Sequence, residues 1–242
     1  MNDTRQRVGM LFAEAVGTFI LTMVAISASG LGIPLFTGAA AGFTLATMVL
    51  AIGAFSGAHI NPAVTIGLLS IRKISLVKAF TYVIAQAVGA VTAWKLYEYF
   101  VGKAVPNQAT MFDWSKAADR RVFFAEMIGT MVFTFGIAAA VYQKFENMKA
   151  AATIGTSYFL GIMVAALGSA AILNPAVAYG VRNFNNGYAF APILGAIVGM
   201  NLYAFFFVEN WMTPRFRRLR PATATPVASS STAKVTRKTK RK

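Results

Sequence analysis

With 57% hydrophobic and only 13% charged side chains over 242 residues, and a mean hydropathy of +0.58, this chain is too apolar for a soluble globular protein. It reads as an integral membrane protein. The absence of cysteine excludes disulfides, thiolate metal sites and thiol chemistry. No nucleophile, metal-ligand cluster or phosphate loop stands out, so an enzyme is excluded and no metal or cofactor is expected. The net charge of +15 would suit nucleic acid on a soluble surface, but here it is parcelled out between apolar segments.

In chain order, apolar stretches near residues 8–29, 36–55, 76–100, 122–142, 151–169 and 188–208 are each long enough to cross about 30 Å of hydrocarbon, which takes roughly 20 helical residues. Six helical spans follow, and uninterrupted runs of this length argue against an outer-membrane barrel. With the N-terminus inside, Arg5, Arg7, Arg72, Lys73, Lys78, Lys144, Lys149 and the tail basics from Arg215 to Lys242 fall on the cytoplasmic side. Lys95, Lys103, Lys116, Arg120, Arg121 and Arg182 fall on the other, so the positive-inside rule puts both termini in the cytoplasm. The segment from Pro221 to Lys242 has no apolar periodicity and is expected to be disordered, with its Lys234-to-Lys242 cluster able to touch anionic lipid.

After the second and fifth spans the same tripeptide recurs, Asn61-Pro62-Ala63 and Asn174-Pro175-Ala176, 113 residues apart. A second string keeps nearly the same phase: Ala13-Glu14 with Gly17-Thr18 returns as Ala125-Glu126 with Gly129-Thr130, an offset of 112. The chain is therefore a tandem duplication, with a first repeat over 1–110, a second over 111–214 and a basic tail over 215–242. Each copy holds an odd number of spans, so the second must lie upside down relative to the first.

The apolar pieces after the tripeptides, Val64 to Ser70 and Val177 to Arg182, are too short to cross. Asn is a favoured N-cap and Pro a favoured first helical residue, so each Asn-Pro begins a half helix that ends near mid-membrane. Their positive ends meet there and repel cations, with the Asn61 and Asn174 carboxamides offered as donors. The two half helices together are expected to nearly equal one span.

At this point the sequence resembles the aquaporin and glycerol-facilitator family, the major intrinsic proteins. The resemblance rests on Ser56-Gly57-Ala58-His59-Ile60-Asn61-Pro62-Ala63-Val64-Thr65, on Asn174-Pro175-Ala176 and on the two Ala-Glu-x-x-Gly-Thr openings. It implies an all-α membrane protein of six transmembrane helices plus two re-entrant half helices in an inverted repeat. It also implies a homotetramer embedded in lipid, each subunit passing water or small neutral solutes down their gradient, without nucleic-acid partners. Asn61 and Asn174 then resemble the paired pore asparagines. The carbonyls of Gly57, Ala58 and His59, and of Ala170, Ala171 and Ile172, resemble the two halves of a hydrogen-bonding ladder. Glu14 and Glu126 resemble carboxylates that brace the re-entrant loops; a proton relay is the competing reading, because intramembrane acids are functional candidates by default. His59 reads as a packed pore-lining residue rather than a pH switch.

The family usually carries Arg after the second tripeptide, and here Val177 stands in that place. Aligned without gaps, the constriction falls on Ala41, Ile162, Ala171 and Val177, which implies a wide, apolar filter suited to glycerol, urea or ammonia. Arg182 and Pro192-Ile193 resemble the glycerol branch, whereas Ala178 replaces its usual Asp. Arg182 is a candidate substitute for the missing filter charge, and Phe112 and Trp114 are expected to pack over the outer vestibule. The alternatives are a water-selective aquaporin, a proton-coupled carrier using Glu14 and Glu126, and a closed junction protein.

Overall fold

The computed structural model describes residues 3–209; the expected basic tail over 215–242 lies outside them. The described residues form eight helices and no strand: α1 (Asp3–Ser29), α2 (Pro34–Ser56), α3 (Pro62–Ser70), α4 (Leu76–Val101), α5 (Ala117–Tyr142), α6 (Asn147–Ala165), α7 (Pro175–Gly180) and α8 (Asn186–Phe207). All but α3 and α7 are long and apolar enough to cross a membrane. Helix starts follow local chemistry. Pro34 opens α2, the Ser75 hydroxyl caps α4 by accepting from the Lys78 N–H, and Asn185 caps α8 by accepting from Gly187 and Tyr188.

Packing repeats across the duplication. α1 lies against α4 as α5 lies against α8, and α2 crosses α6 between the halves. At that crossing Gly42 and Gly155 face one another so closely that a Cβ on either would sit 2.7–2.8 Å from the other's carbonyl oxygen. Backbone-to-backbone approach of this kind needs small residues, because between membrane helices dispersion and close fit replace the hydrophobic drive. Each short helix packs on the last long helix of the other half, α3 on α8 and α7 on α4. The halves are thus interlocked rather than side by side.

Charged side chains sort to the two ends that the loop order demands. Lys73 sits 4.2 Å over the Tyr142 ring at one end, while Lys95 and Arg182 flank Trp94 at 4.0 and 4.5 Å at the other. Apolar side chains such as Phe43, Phe80, Val88, Leu160 and Phe205 project outward from the long helices. A surface of that kind is suited to lipid tails, not water.

Two boundaries differ from the hydropathy reading. The fifth span covers Asn147–Ala165, not 151–169: residues 166–169 form only turns that reach back to Ile162, Val164 and Ala165, and the N–H groups of residues 170–173 bond outside α6. There the Ser169 hydroxyl and the Ile172 and Leu173 N–H groups are claimed by the Glu126 carboxylate instead. The second half helix covers Pro175–Gly180 and stops before Arg182, whose φ of 60° is left-handed. At 1.5 Å per residue α3 and α7 together supply only about 22 Å, short of a span. The non-helical legs before each asparagine make up the rest.

Candidate functional site

Both legs follow one backbone path. Ala58 and Ile60 have φ of 47° and 40°, and their counterparts 113 residues on, Ala171 and Leu173, have φ of 54° and 55°. Left-handed backbone costs about 1–2 kcal/mol for such residues, and for β-branched Ile60 it is a true outlier. Something must hold it in place, and two carboxylates do. Glu14 accepts from the N–H groups of His59 (3.0 Å) and Ile60 (2.7 Å), and from the Gln86 amide (2.8 Å). Glu126 accepts from the N–H groups of Ile172 (3.0 Å) and Leu173 (2.7 Å), and from the Ser169 hydroxyl (2.7 Å). Consecutive N–H groups converging on one anion form the concave backbone nest that favours negative charge.

This bracing fixes where the carbonyls point. A trans peptide sets its C=O opposite its N–H, and no peptide bond here is cis. With the His59 and Ile60 N–H groups on Glu14, the carbonyls of Ala58 and His59 face away from it. The Ala171 and Ile172 carbonyls likewise face away from Glu126. Two serines extend the pattern: the Ala58 N–H donates to the Ser56 hydroxyl (3.0 Å) and the Ala171 N–H to the Ser169 hydroxyl (2.9 Å). Among the described residues no donor reaches the carbonyls of Gly57, Ala58, His59, Ala170 or Ala171. Gly57 and Ala170 are exposed and Ala58, His59 and Ala171 are buried, so each string runs inward from an open end. Buried carbonyls without a protein donor call for water or a solute.

The strings end at the asparagines. Asn61 caps α3 by accepting from the Ala63 N–H (2.8 Å), and Asn174 caps α7 by accepting from Ala176 (3.0 Å) and Val177 (3.3 Å). Their amide groups then cross-link the halves. Asn61 Nδ2 donates to the Leu173 carbonyl (2.9 Å) and Asn174 Nδ2 to the Ile60 carbonyl (3.0 Å). Since each amide has two N–H groups, one on each is spent on the opposite leg and one remains.

Ala41, Ile162, Ala171 and Val177 all line one cavity of about 90 Å³, together with Ala170, Ile172, Tyr158 and, from the loops and helix ends, Ser29, Thr37, Gln108 and Asn183. One ordered water needs roughly 10–15 Å³ measured this way, so the space holds several. The four residues at the aligned constriction positions carry no polar side-chain atom.

Other expectations move. Arg182 does not line the cavity; its guanidinium lies on Trp94, while its carbonyl accepts from the Gln108 N–H (2.8 Å). Phe112 and Trp114 pack on Phe123 at the start of α5 (6.0 and 4.9 Å), with Trp114 still half exposed, and neither lines the cavity. It is Gln108 from that loop that reaches the cavity. His59 packs edge-on to Tyr82 (5.1 Å) with Nδ1 3.2 Å from the Thr65 hydroxyl. The sequence reading missed Ser169, Gln86 and Tyr158. Ser169 repeats Ser56 at the 113-residue offset, and a lone Gln in an apolar span is a natural partner for a buried acid. For Tyr158 no signal existed.

The major intrinsic protein family model matches residues 2–207. Aquaporin-1 of Rattus norvegicus is 31% identical over 178 residues, 70% of this chain and 66% of that protein, so the match spans just under two thirds of that relative's length. Aquaporin-5 of Sus scrofa is 31% identical over 219 residues, 83% of this chain and 81% of that protein. The X-ray structure of the aquaglyceroporin from Plasmodium falciparum superposes with a TM-score of 0.65 at 25% identity, covering 84% of this chain and 96% of that one. With a family match across nearly all the described residues, two Asn-Pro half helices and twin buried carboxylates in place, the chain belongs to the major intrinsic protein family.

Proposed function

We propose that the protein is a passive transmembrane channel for water and small uncharged solutes, glycerol among them. The observation that carries this reading is the pair of carbonyl strings without protein donors. They start from opposite open ends and lead to the cross-linked asparagines. Such strings exchange hydrogen bonds with a moving file of donors, so a neutral solute gives up little on leaving water. An ion gives up its hydration against the positive ends of α3 and α7 in an apolar passage, which costs several kcal/mol. Cations therefore stay excluded without a filter arginine.

Ala41, Ile162, Ala171 and Val177 form the filter of this proposal. Their lack of charge and of polar side-chain atoms favours a solute with a hydrocarbon face over strict water selectivity, and the aquaglyceroporin likeness supports the same choice. A proton-coupled carrier is disfavoured because Glu14 and Glu126 are each fully buried and each accept three hydrogen bonds, two of them from the backbone N–H groups they hold in place. A carboxylate so engaged has no free route to exchange protons. The proposal also includes a homotetramer with both termini in the cytoplasm.

Stopped-flow swelling of proteoliposomes in water, glycerol and urea gradients tests it. Expected are glycerol and water permeabilities well above protein-free vesicles, unaffected by protonophores. Flux that collapses with the proton gradient would establish the carrier instead.

A further inference from the structure

Of the six ladder carbonyls, that of Ile172 alone is engaged by a side chain among the described residues. The Tyr158 hydroxyl donates to it at 3.1 Å. The duplication offers no equivalent: the corresponding carbonyl is that of His59, and Tyr82, the tyrosine beside it, donates instead to the Ser56 carbonyl at 2.7 Å. Tyr158 lines the same cavity as Ala41, Ile162, Ala171 and Val177. It lies four residues, one helical turn or about 6 Å, nearer mid-membrane than Ile162 on α6. The other polar side chains of that lining, Ser29, Thr37, Gln108 and Asn183, belong to loops and outer helix ends. The ring is 2% exposed and is held 4.6 Å from the Phe133 ring, so the hydroxyl has little freedom to swing aside.

We propose that Tyr158 is a specificity-determining residue that closes the inner floor of the solute chamber: its hydroxyl takes up one lone pair of the Ile172 carbonyl and narrows the step from the apolar ring to the asparagines. This rests on the channel reading above. The apolar ring admits solutes with a hydrocarbon face, but with no polar side-chain atom it sets no limit on how many hydroxyls they carry. The floor does discriminate. A polyol leaving the ring must satisfy several donors at once, and the acceptor nearest to it is half taken and flanked by a ring. A single water needs only the remaining lone pair. Selection against donor-rich solutes therefore sits one turn below the aligned constriction, on a residue with no counterpart in the first repeat.

Tyr158→Phe removes one oxygen and keeps the ring against Phe133. The measurement is the ratio of glycerol to water permeability in proteoliposomes containing wild type or Tyr158→Phe. A misfolded fraction lowers both fluxes and leaves the ratio unchanged, so the ratio isolates selectivity. The ratio is expected to rise about fivefold, the factor that corresponds to one ordinary hydrogen bond. Tyr158→Leu, which removes ring and hydroxyl together, is expected to raise it at least as far and serves if the first variant does not assemble. A permeable wild type with an unchanged or lower ratio in both variants overturns this assignment while leaving the channel reading intact. A wild type indistinguishable from empty vesicles overturns the channel reading, and this assignment with it.

Discussion

The amide of Asn61 donates to the carbonyl of Leu173 across the duplication at 2.9 Å, so the residue that caps one half helix also anchors the leg leading to the other. Asn174 and Ile60 return the arrangement at 3.0 Å. Cap and cross-link are separable by chemistry: Asp keeps the accepting oxygen of a cap but has no N–H to give.

Asn61→Asp is accordingly expected to keep α3 capped while losing the bond to Leu173 and placing a carboxylate near its carbonyl. Solute flux per molecule should fall at least tenfold, with thermal stability in detergent lowered less than in Asn61→Ala. The alanine variant loses the cap too, worth about 1 kcal/mol by itself. Equal stability in the two variants would show that the cap contributes nothing, and wild-type flux and stability in Asn61→Asp would show that the cross-link contributes nothing.

Glu126→Ala strands the Ile172 and Leu173 N–H groups in the non-helical leg, while the Ser169 hydroxyl can still donate to the Ala165 carbonyl. The cost is about 3 kcal/mol or more, since buried donors that lose a charged acceptor pay their full desolvation. Loss of the folded peak in size-exclusion chromatography is the expected readout. Glu14→Gln retains an acceptor oxygen and the hydrogen bonds to one N–H and to Gln86 within reach, so folded protein with reduced flux is expected there.

Val177→Arg places a long cation in the 90 Å³ cavity beside Ala41, Ile162 and Ala171. Glycerol flux is expected to drop about tenfold or more while water flux is retained in part, as measured by stopped-flow light scattering, because steric exclusion rises steeply once a passage is narrower than its solute. Unchanged glycerol flux would remove these four residues as the filter.

Gly89 lies against the Ala15 carbonyl at the α1–α4 crossing, with no room for a methyl group. Gly89→Ala should destabilise by about 1–3 kcal/mol through overpacking. Gly9, in α1 with open space around its Cα, is the contrast: Gly9→Ala should be neutral or stabilising by up to about 1 kcal/mol through helix propensity. Thermal melts of the two variants check the difference.

The sequence by itself indicated the six spans, the duplication and the two half-helix starts at Asn61 and Asn174, whereas bracing of the legs by Glu14 and Glu126 was only what the family resemblance implied. Hydropathy over a span, N-capping by Asn before Pro, and a repeat offset are all local or countable properties, and need no knowledge of neighbours. Only the tertiary structure decided which distant groups claim which backbone atoms. It gave the Ile172 and Leu173 N–H groups, in the leg beyond α6, to Glu126, and it laid Arg182 on Trp94 instead of in the cavity. It turned one amide hydrogen of each asparagine toward the opposite leg and set Tyr158 on the Ile172 carbonyl. The physical reason is common to all of these. In an apolar interior an unpaired polar group is costly, and which partner lies in reach depends on how the two inverted halves interlock, which no single stretch of chain records.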